Sequence, residues 1–256
     1  MPRARVPNLP AMSLRRSFLA LAVLLGLICA GLAIARREAP TGPGLGLFTS
    51  LPVYWNEAAD LSGLLDKAQQ PHWAREALER RYTLRPLDVL AGGLDGLSYL
   101  LIAQPRPLSP AENVALDGWV RGGGRLLLFA DPMLTAHSTF AIGDKRRPQD
   151  VVMLSPILAR WGLALQFDEG QPDGEHAVAF DGGTLPVDLP GRLGLARTAD
   201  TVGTCRLLAQ GLVADCTIGR GHALVVADAA LLDGEGESPE SREAALALLL
   251  DRAFAD

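Results

Sequence analysis

The sequence predicts an α/β protein whose sheet is mostly parallel, with helices on both faces and β-hairpins added near the C-terminus. Two short apolar runs, residues 97–103 and 125–130, have the composition of strands that are buried on both faces. A helical stretch joins them, and two strands with one helix in about thirty residues form a right-handed βαβ unit. This unit makes that part of the sheet parallel.

The connecting helix has distinct start and stop signals. It begins in Ser109-Pro110-Ala111-Glu112, where the serine can accept from free N–H groups and Glu112 can complete a capping box. A run of three glycines, Gly122-Gly123-Gly124, ends it. Its apolar stripe consists of Leu116, Trp119 and Val120.

The remaining elements follow from local patterns. Strands are predicted at residues 45–50, 82–90, 163–167, 204–217 and 222–228, and helices at 61–68, 73–81, 155–161 and from 238 onward. Pro86 places its strand near an edge, because proline cannot donate to a ladder. The Gly-, Pro- and Asp-rich residues 170–197 indicate a hairpin appended to the sheet. The inward residues of the last helix are Ala245, Leu246, Leu249, Leu250 and Ala253.

The N-terminal region differs from the rest in charge. Residues 1–37 contain six of the 24 basic residues and no acidic one, which leaves 18 basic against 29 acidic residues, a net charge of −11. An acidic body argues against nucleic acid as a partner, because neutralising phosphates requires clustered lysines and arginines.

Residues 17–35 are uncharged and lie between two arginine pairs. As a helix they would span about 28 Å, enough for one pass through a hydrocarbon core. The positive-inside rule then leaves the N-terminus in the cytoplasm, anchors the protein in the inner membrane and exports the body to the periplasm. Residues 38–44 would be a linker and 45–256 the exported domain. Met12 is an alternative start.

Two other interpretations of this N-terminal segment remain open. Ala33-Ile34-Ala35 fits the cleavage pattern of a signal peptide, although the apolar run is longer than usual and lacks a polar end. Lipid attachment at Cys29 is disfavoured, because Ile28 stands where a small residue is needed. The uncleaved anchor is favoured, and in every case the body is exported.

Polar residues follow the predicted strands at their carboxyl ends. Asp131 and Asp228 each end an apolar strand in an Ala-Asp pair, and with Ser50 and Gln104 they could line one ligand-binding crevice. The favoured alternative is that each aspartate caps the turn after it. No nearby third carboxylate or histidine completes a metal set, so no metal and no cofactor are predicted.

Two further candidates lie in a long loop, residues 132–150. His137 could act as an acid/base group, although a lone loop histidine is more often a surface residue. Lys145, Arg146 and Arg147 form the basic cluster of the body and could bind an anionic glycan, a lipid headgroup or a partner's carboxylate. A solvated loop is the favoured interpretation of that cluster.

Several catalytic motifs are missing from the sequence. It has neither a phosphate-binding Gly-x-x-x-x-Gly-Lys-(Ser/Thr) loop nor a Gly-x-Ser-x-Gly elbow. Cys205 and Cys216 do not stand in the elbow context of an amidotransferase nucleophile. No catalytic residue is therefore predicted.

The same cysteines suggest a disulfide. If Gln210-Gly211 forms a two-residue hairpin turn, the register places Cys205 opposite Cys216, within reach of a bond. An exported protein meets an oxidising compartment, which favours the bond. The alternative is two reduced, buried cysteines that pack as small apolar residues.

The central stretch also resembles a known family. Pro-Leu-Ser-Pro at the helix start, Leu-Asp-Gly-Trp-Val within it, and Gly-Gly-Arg-Leu-Leu-Leu-Phe-Ala-Asp-Pro after it resemble the soluble domain of the ABC-type uncharacterised transport system family. That family includes the auxiliary subunit of the gliding-motility ABC transporter, and the resemblance covers residues 46–168. It implies a fold like that of class I glutamine amidotransferases, related to flavodoxin-like folds, without their catalytic apparatus.

The resemblance also implies a role and partners. The expected function is a non-catalytic, membrane-anchored accessory or binding domain of an ABC-type transport or envelope system, with permease and ATPase subunits as partners. The alternative is an unusual envelope hydrolase that uses Asp131, His137 and Asp228.

Overall fold

The structure is a computed structural model, and it describes residues 42–55, 57, 71–233 and 239–255. The predicted membrane anchor at 17–35, most of the linker and the helix at 61–68 lie outside the described residues. Within those ranges, no helix combines the length and apolar character needed to cross a membrane. The chain divides into two units, Met1–Thr41 and Gly42–Asp256, and all of the described residues belong to the second.

The described part of this unit contains eleven strands and four helices. The strands are β1 (Gly44–Thr49), β2 (Thr83–Pro86), β3 (Tyr99–Ala103), β4 (Arg125–Phe129), β5 (Leu163–Gln166), β6 (His176–Phe180), β7 (Gly183–Val187), β8 (Arg192–Leu195), β9 (Gly203–Leu208), β10 (Val213–Ile218) and β11 (Gly221–Val226). The helices are α1 (Trp73–Glu79), α2 (Pro110–Arg121), α3 (Ser155–Trp161) and α4 (Pro239–Phe254).

Seven strands form the central sheet, in the order β2-β1-β3-β4-β11-β10-β9. The first five run parallel to one another, and β10 and β9 add an antiparallel edge. The predicted α/β fold, with a mostly parallel sheet and C-terminal hairpins, is confirmed. β2 is an edge strand, as Pro86 indicates.

Helices cover both faces of the sheet, as the mostly apolar sequence of β4 requires. Leu126 and Leu128 pack on one face with side chains of α2 and α3, whereas Leu127 and Phe129 pack on the other with side chains of α1 and α4. Successive strand residues point to opposite faces, so a strand buried on both must be apolar throughout. The α4 positions predicted to face inward are all buried: Ala245, Leu246, Leu249, Leu250 and Ala253.

The start of α2 confirms the predicted capping box. Ser109 Oγ accepts from the backbone N of Glu112 at 3.3 Å, and the Glu112 carboxylate accepts from the backbone N of Ser109 at 2.9 Å. Glu112 also accepts from Leu90 N and from the Arg106 guanidinium. The hydrogen bonds from Arg106 are the main cause that lowers the pKa of Glu112 to about 2.

The strands between β4 and β9 differ from the prediction. β6 and β7 form a separate hairpin, and β5 pairs antiparallel with β8 in a second two-stranded sheet, so the hairpin expected within 170–197 does not extend the central sheet. The physical reason lies in its apolar side chains. Phe180, Leu185 and Val187 join the core beside α4, so the hairpin covers a face of the sheet.

Candidate functional site

Three of the predicted site residues meet where β1, β3 and β4 end. Ser50 follows β1, Gln104 follows β3 and Asp131 comes soon after β4, and the carboxyl ends of neighbouring parallel strands lie at one edge. Ser50 Oγ donates to the backbone oxygen of Gln104. The Gln104 amide bridges to the next chain segment, donating to Asp131 O and accepting from Asp131 N, both at 3.0 Å.

The end of the 132–150 loop closes this cluster. Gln149 O accepts from Gln104 Nε2 at 2.7 Å, and Gln149 N donates to Ser50 Oγ at 3.1 Å. The polar groups that could face a ligand are therefore bonded to the protein's own backbone. Gln149 is not predicted from the sequence, because no local signal shows that a loop residue returns to the strand ends.

The two aspartates act as backbone acceptors. Asp131 is buried, and its carboxylate accepts from Met133 N at 2.8 Å and from Ala229 N at 3.0 Å. Asp228 is also buried and accepts from Ala230 N at 2.8 Å and from Asp188 N at 3.1 Å. Each carboxylate thus holds the turn after it and one distant segment. This geometry matches the capping interpretation.

Burial shifts the ionisation of both carboxylates. Desolvation raises the pKa of Asp131 to about 6, although its two backbone hydrogen bonds act in the opposite direction. Desolvation also raises the pKa of Asp228 well above its usual value, and the negative charge of Asp131 raises it further. The charge of Asp188 adds to both effects. The carboxyl edge therefore contains two acids that resist ionisation.

His137 is the third residue of the hydrolase alternative. It is exposed on the loop, and within the described ranges no hydrogen bond joins it to Asp131 or Asp228. The described residues therefore show no direct hydrogen bond between the histidine and the two acids of the hypothetical hydrolase. Across the described part of the chain, no group of His, Cys, Asp and Glu side chains could hold a metal ion.

The basic cluster of the same loop is largely paired with acids of the loop. Arg146 forms an ion pair with Asp144 at 2.7 Å, and Arg147 forms one with Asp150 at 3.0 Å. Lys145 is exposed. Most of the positive charge predicted to attract an anion is therefore neutralised within the loop.

Cys205 and Cys216 lie opposite each other in the β9–β10 ladder and form a disulfide, with their Cα atoms 4.1 Å apart. The turn is longer than the predicted two residues, since the last ladder pair is Leu208 with Val213. Residues 209–211 make a short 3-10 turn in which all three have positive φ. Closing so short a loop stabilises the fold by about 3 kcal/mol in the chain-entropy picture.

Comparison with known proteins adds a family and a fold. The sequence profile of the family described as "ABC-type uncharacterized transport system" matches residues 45–180. No curated protein sequence matches the chain.

Among solved structures, an exo-β-1,4-mannosidase from Opitutaceae bacterium strain TAV5 is similar over 88% of this chain and 38% of its own, with 14% identity and a TM-score of 0.51. A β-galactosidase from Rahnella sp. R3 covers 89% of this chain and 33% of its own, with 13% identity and a TM-score of 0.47. This chain thus spans 38% of the mannosidase and 33% of the β-galactosidase, well under half of either enzyme. The mannosidase likeness concerns the fold alone, and the β-galactosidase likeness is too low to support an argument.

Proposed function

The chain belongs to the ABC-type uncharacterized transport system family, and from this premise we propose that it is a non-catalytic accessory or binding domain of such a system. In this proposal, residues 17–35 anchor it in the inner membrane, its body is exported to the periplasm, and its partners are the permease and ATPase subunits.

The state of the carboxyl edge supports the non-catalytic part of the proposal. Asp131 and Asp228 are buried, and both oxygens of each accept from backbone N–H groups. A general acid or base must reach the substrate proton directly or through one water. Carboxylates held in this way are suited to fixing loops, and His137 is exposed and has no hydrogen bond to either of them within the described ranges.

The disulfide supports export. Disulfides persist in oxidising compartments and are rare in the reducing cytosol, so the Cys205–Cys216 bond fits a periplasmic body. The arginine-flanked apolar segment before the body fits the same topology.

The proposal is tested by co-expressing the full chain with the ABC permease and ATPase subunits of the same organism. We expect the three proteins to purify as one complex from membranes, with residues 45–256 accessible to protease only from the periplasmic side. A full chain that fractionates with the cytosol and binds neither subunit would contradict the proposal.

One substitution distinguishes the hydrolase alternative from the proposed docking domain. His137 lies on an exposed loop, so His137→Ala should leave folding intact. A docking domain with this substitution should support transport as well as wild type does. Loss of activity by this well-folded variant would favour the enzyme.

A further inference from the structure

A groove of about 370 Å³ lies between α2 and α3, and none of its lining residues belongs to the carboxyl-edge cluster. Its lining combines apolar and charged side chains from both helices. Val114 and Pro156 are exposed, Val114 to 73%, and Ile157 is buried beneath them. Large exposed apolar side chains that border a groove are a common feature of interaction surfaces.

The charged part of the groove is built on one buried carboxylate. Asp117 Oδ2 accepts from Arg121 Nε at 2.9 Å and from Arg160 Nε at 3.0 Å, while Oδ1 accepts from Trp161 Nε1 at 3.2 Å. Two guanidinium groups from different helices therefore converge on a single oxygen atom. Because Asp117 and Trp161 are buried, this arrangement is held in place before any ligand arrives.

The two arginines retain unused binding capacity. Each bonds to Asp117 through Nε only, and the terminal nitrogens of both find no acceptor within the described part of the chain. The arginine side chains are 47% and 41% exposed. One carboxylate between two guanidiniums leaves a surplus positive charge, and a guanidinium fork is matched in shape to a second carboxylate.

A small anion alone is a poor fit to this site. Ion pairs at such exposed positions contribute at most about 1 kcal/mol, so useful affinity requires additional apolar contact. A segment with acidic and apolar side chains on one face supplies both. We infer that the α2–α3 groove binds an acidic amphipathic segment of a partner protein, with a carboxylate on Arg121 and Arg160 and apolar side chains over Val114 and Pro156.

This inference goes beyond the proposed function, because the chemistry of the groove does not depend on which system the partner belongs to. Only the identification of the partner as a transporter subunit rests on the proposed function. A test with a synthetic probe therefore separates the two.

The probe is a short fluorescent helical peptide that carries leucines on one face and two glutamates one turn apart, titrated into the full chain. We expect Arg121→Gln and Arg160→Gln each to weaken binding about three- to fivefold, a loss of up to roughly 1 kcal/mol. Val114→Ser should weaken peptide binding several-fold. A peptide with glutamine in place of both glutamates should bind the wild-type chain no more tightly than the glutamate peptide binds the arginine variants.

Arg106→Gln is the matched control. Arg106 is also 41% exposed and pairs with a buried carboxylate of α2, Glu112, but its terminal nitrogens are already bonded to Glu112 and to backbone oxygens. Its substitution should change peptide affinity less than about twofold. Thermal melts of all variants verify that they are folded.

Three results would overturn the inference. These are failure of the wild-type chain to bind the glutamate peptide, equal binding by the arginine variants, and displacement of the peptide by equimolar acetate, which would assign the site to small anions. Failure of the chain to co-purify with transporter subunits, by contrast, would contradict the proposed function alone.

Discussion

At the scale of single residues, the buried carboxyl groups should give the free energy of unfolding an unusual dependence on pH. The pKa of Asp131 is about 6 in the folded protein against an ordinary value of 3.8, so between these values the folded state binds more protons than the unfolded state. The stabilisation is complete below pH 3.8 and is lost as the pH rises through 6. We expect the free energy of unfolding to fall by on the order of 2–3 kcal/mol from pH 4.5 to pH 7.5.

Glu112 should limit the stability of the folded protein at acidic pH. Its pKa is lowered to about 2, so its contribution is present above 4.5 and is lost as the pH falls below that value. Urea unfolding across the pH range should give a maximum between about pH 4 and 5. Asp131→Asn should flatten the neutral limb, whereas Asp95→Asn, at an exposed position, should not. A wild-type stability that rises from pH 5 to 7.5 would contradict the assignment.

The same residues show how far a site can be predicted from sequence. Parallel strands end at one edge, so the meeting of Ser50, Gln104 and Asp131 follows from the strand pattern alone. Whether their polar groups face a ligand or the protein's own backbone depends on Gln149, which arrives from a distant loop. Gln104 also adopts a positive φ of 42°. A glutamine rarely has this conformation, so the sequence around it does not predict it. The proposed ligand-binding role of these residues therefore stays a prediction.

At the scale of elements, two glycines around α2 should respond in opposite ways to alanine. Gly118 lies inside the helix, and a Cβ there would have no neighbour within 4 Å, so Gly118→Ala should stabilise the protein by about 0.5–1 kcal/mol. At Gly221, which begins β11, a Cβ would fall 2.5 Å from Gly124 O and closer still to Val120 O. Gly221→Ala should therefore destabilise it by more than about 2 kcal/mol.

Paired thermal melts of the two variants test this expectation. If Gly118→Ala lowers the melting temperature, or if Gly221→Ala leaves it unchanged, the packing of α2 against the start of β11 is not as described.

Elements with strong local signals, such as α2 with its capping box, are predictable from sequence. The β5–β8 pairing is not, because it depends on which apolar side chains find room on a face of the sheet.

At the scale of the whole molecule, the two cores of the Gly42–Asp256 unit are built from its own side chains. We expect residues 38–256 to express as a soluble, cooperatively folded protein with a melting temperature within a few degrees of the full chain. Circular dichroism and size-exclusion chromatography provide the measurement. Aggregation of this fragment under conditions in which the full chain is well behaved would place the domain boundary elsewhere.

The pairing of β11 with β4 could be predicted neither from the strand pattern of the sequence nor from the match to the family profile. The family profile matches residues 45–180, which include β1 to β6 but none of the C-terminal hairpin. Yet β11 is the direct neighbour of β4 in the middle of the sheet, with Arg125 paired to His222. Strand patterns identify both strands but do not specify a pairing over such a distance.

That neighbour relation has a consequence for biosynthesis. Until the ribosome has delivered β11, β4 is an open edge with its entire Leu126–Phe129 run unprotected. The β9–β10–β11 meander closes through local contacts and can form as a unit, but its docking on β4 must wait until residues 221–226 have been synthesised. An emerging or translocating chain thus passes through a stage in which an apolar strand can pair with the wrong partner. A holding chaperone acting in that interval would protect the step on which the yield of folded protein depends.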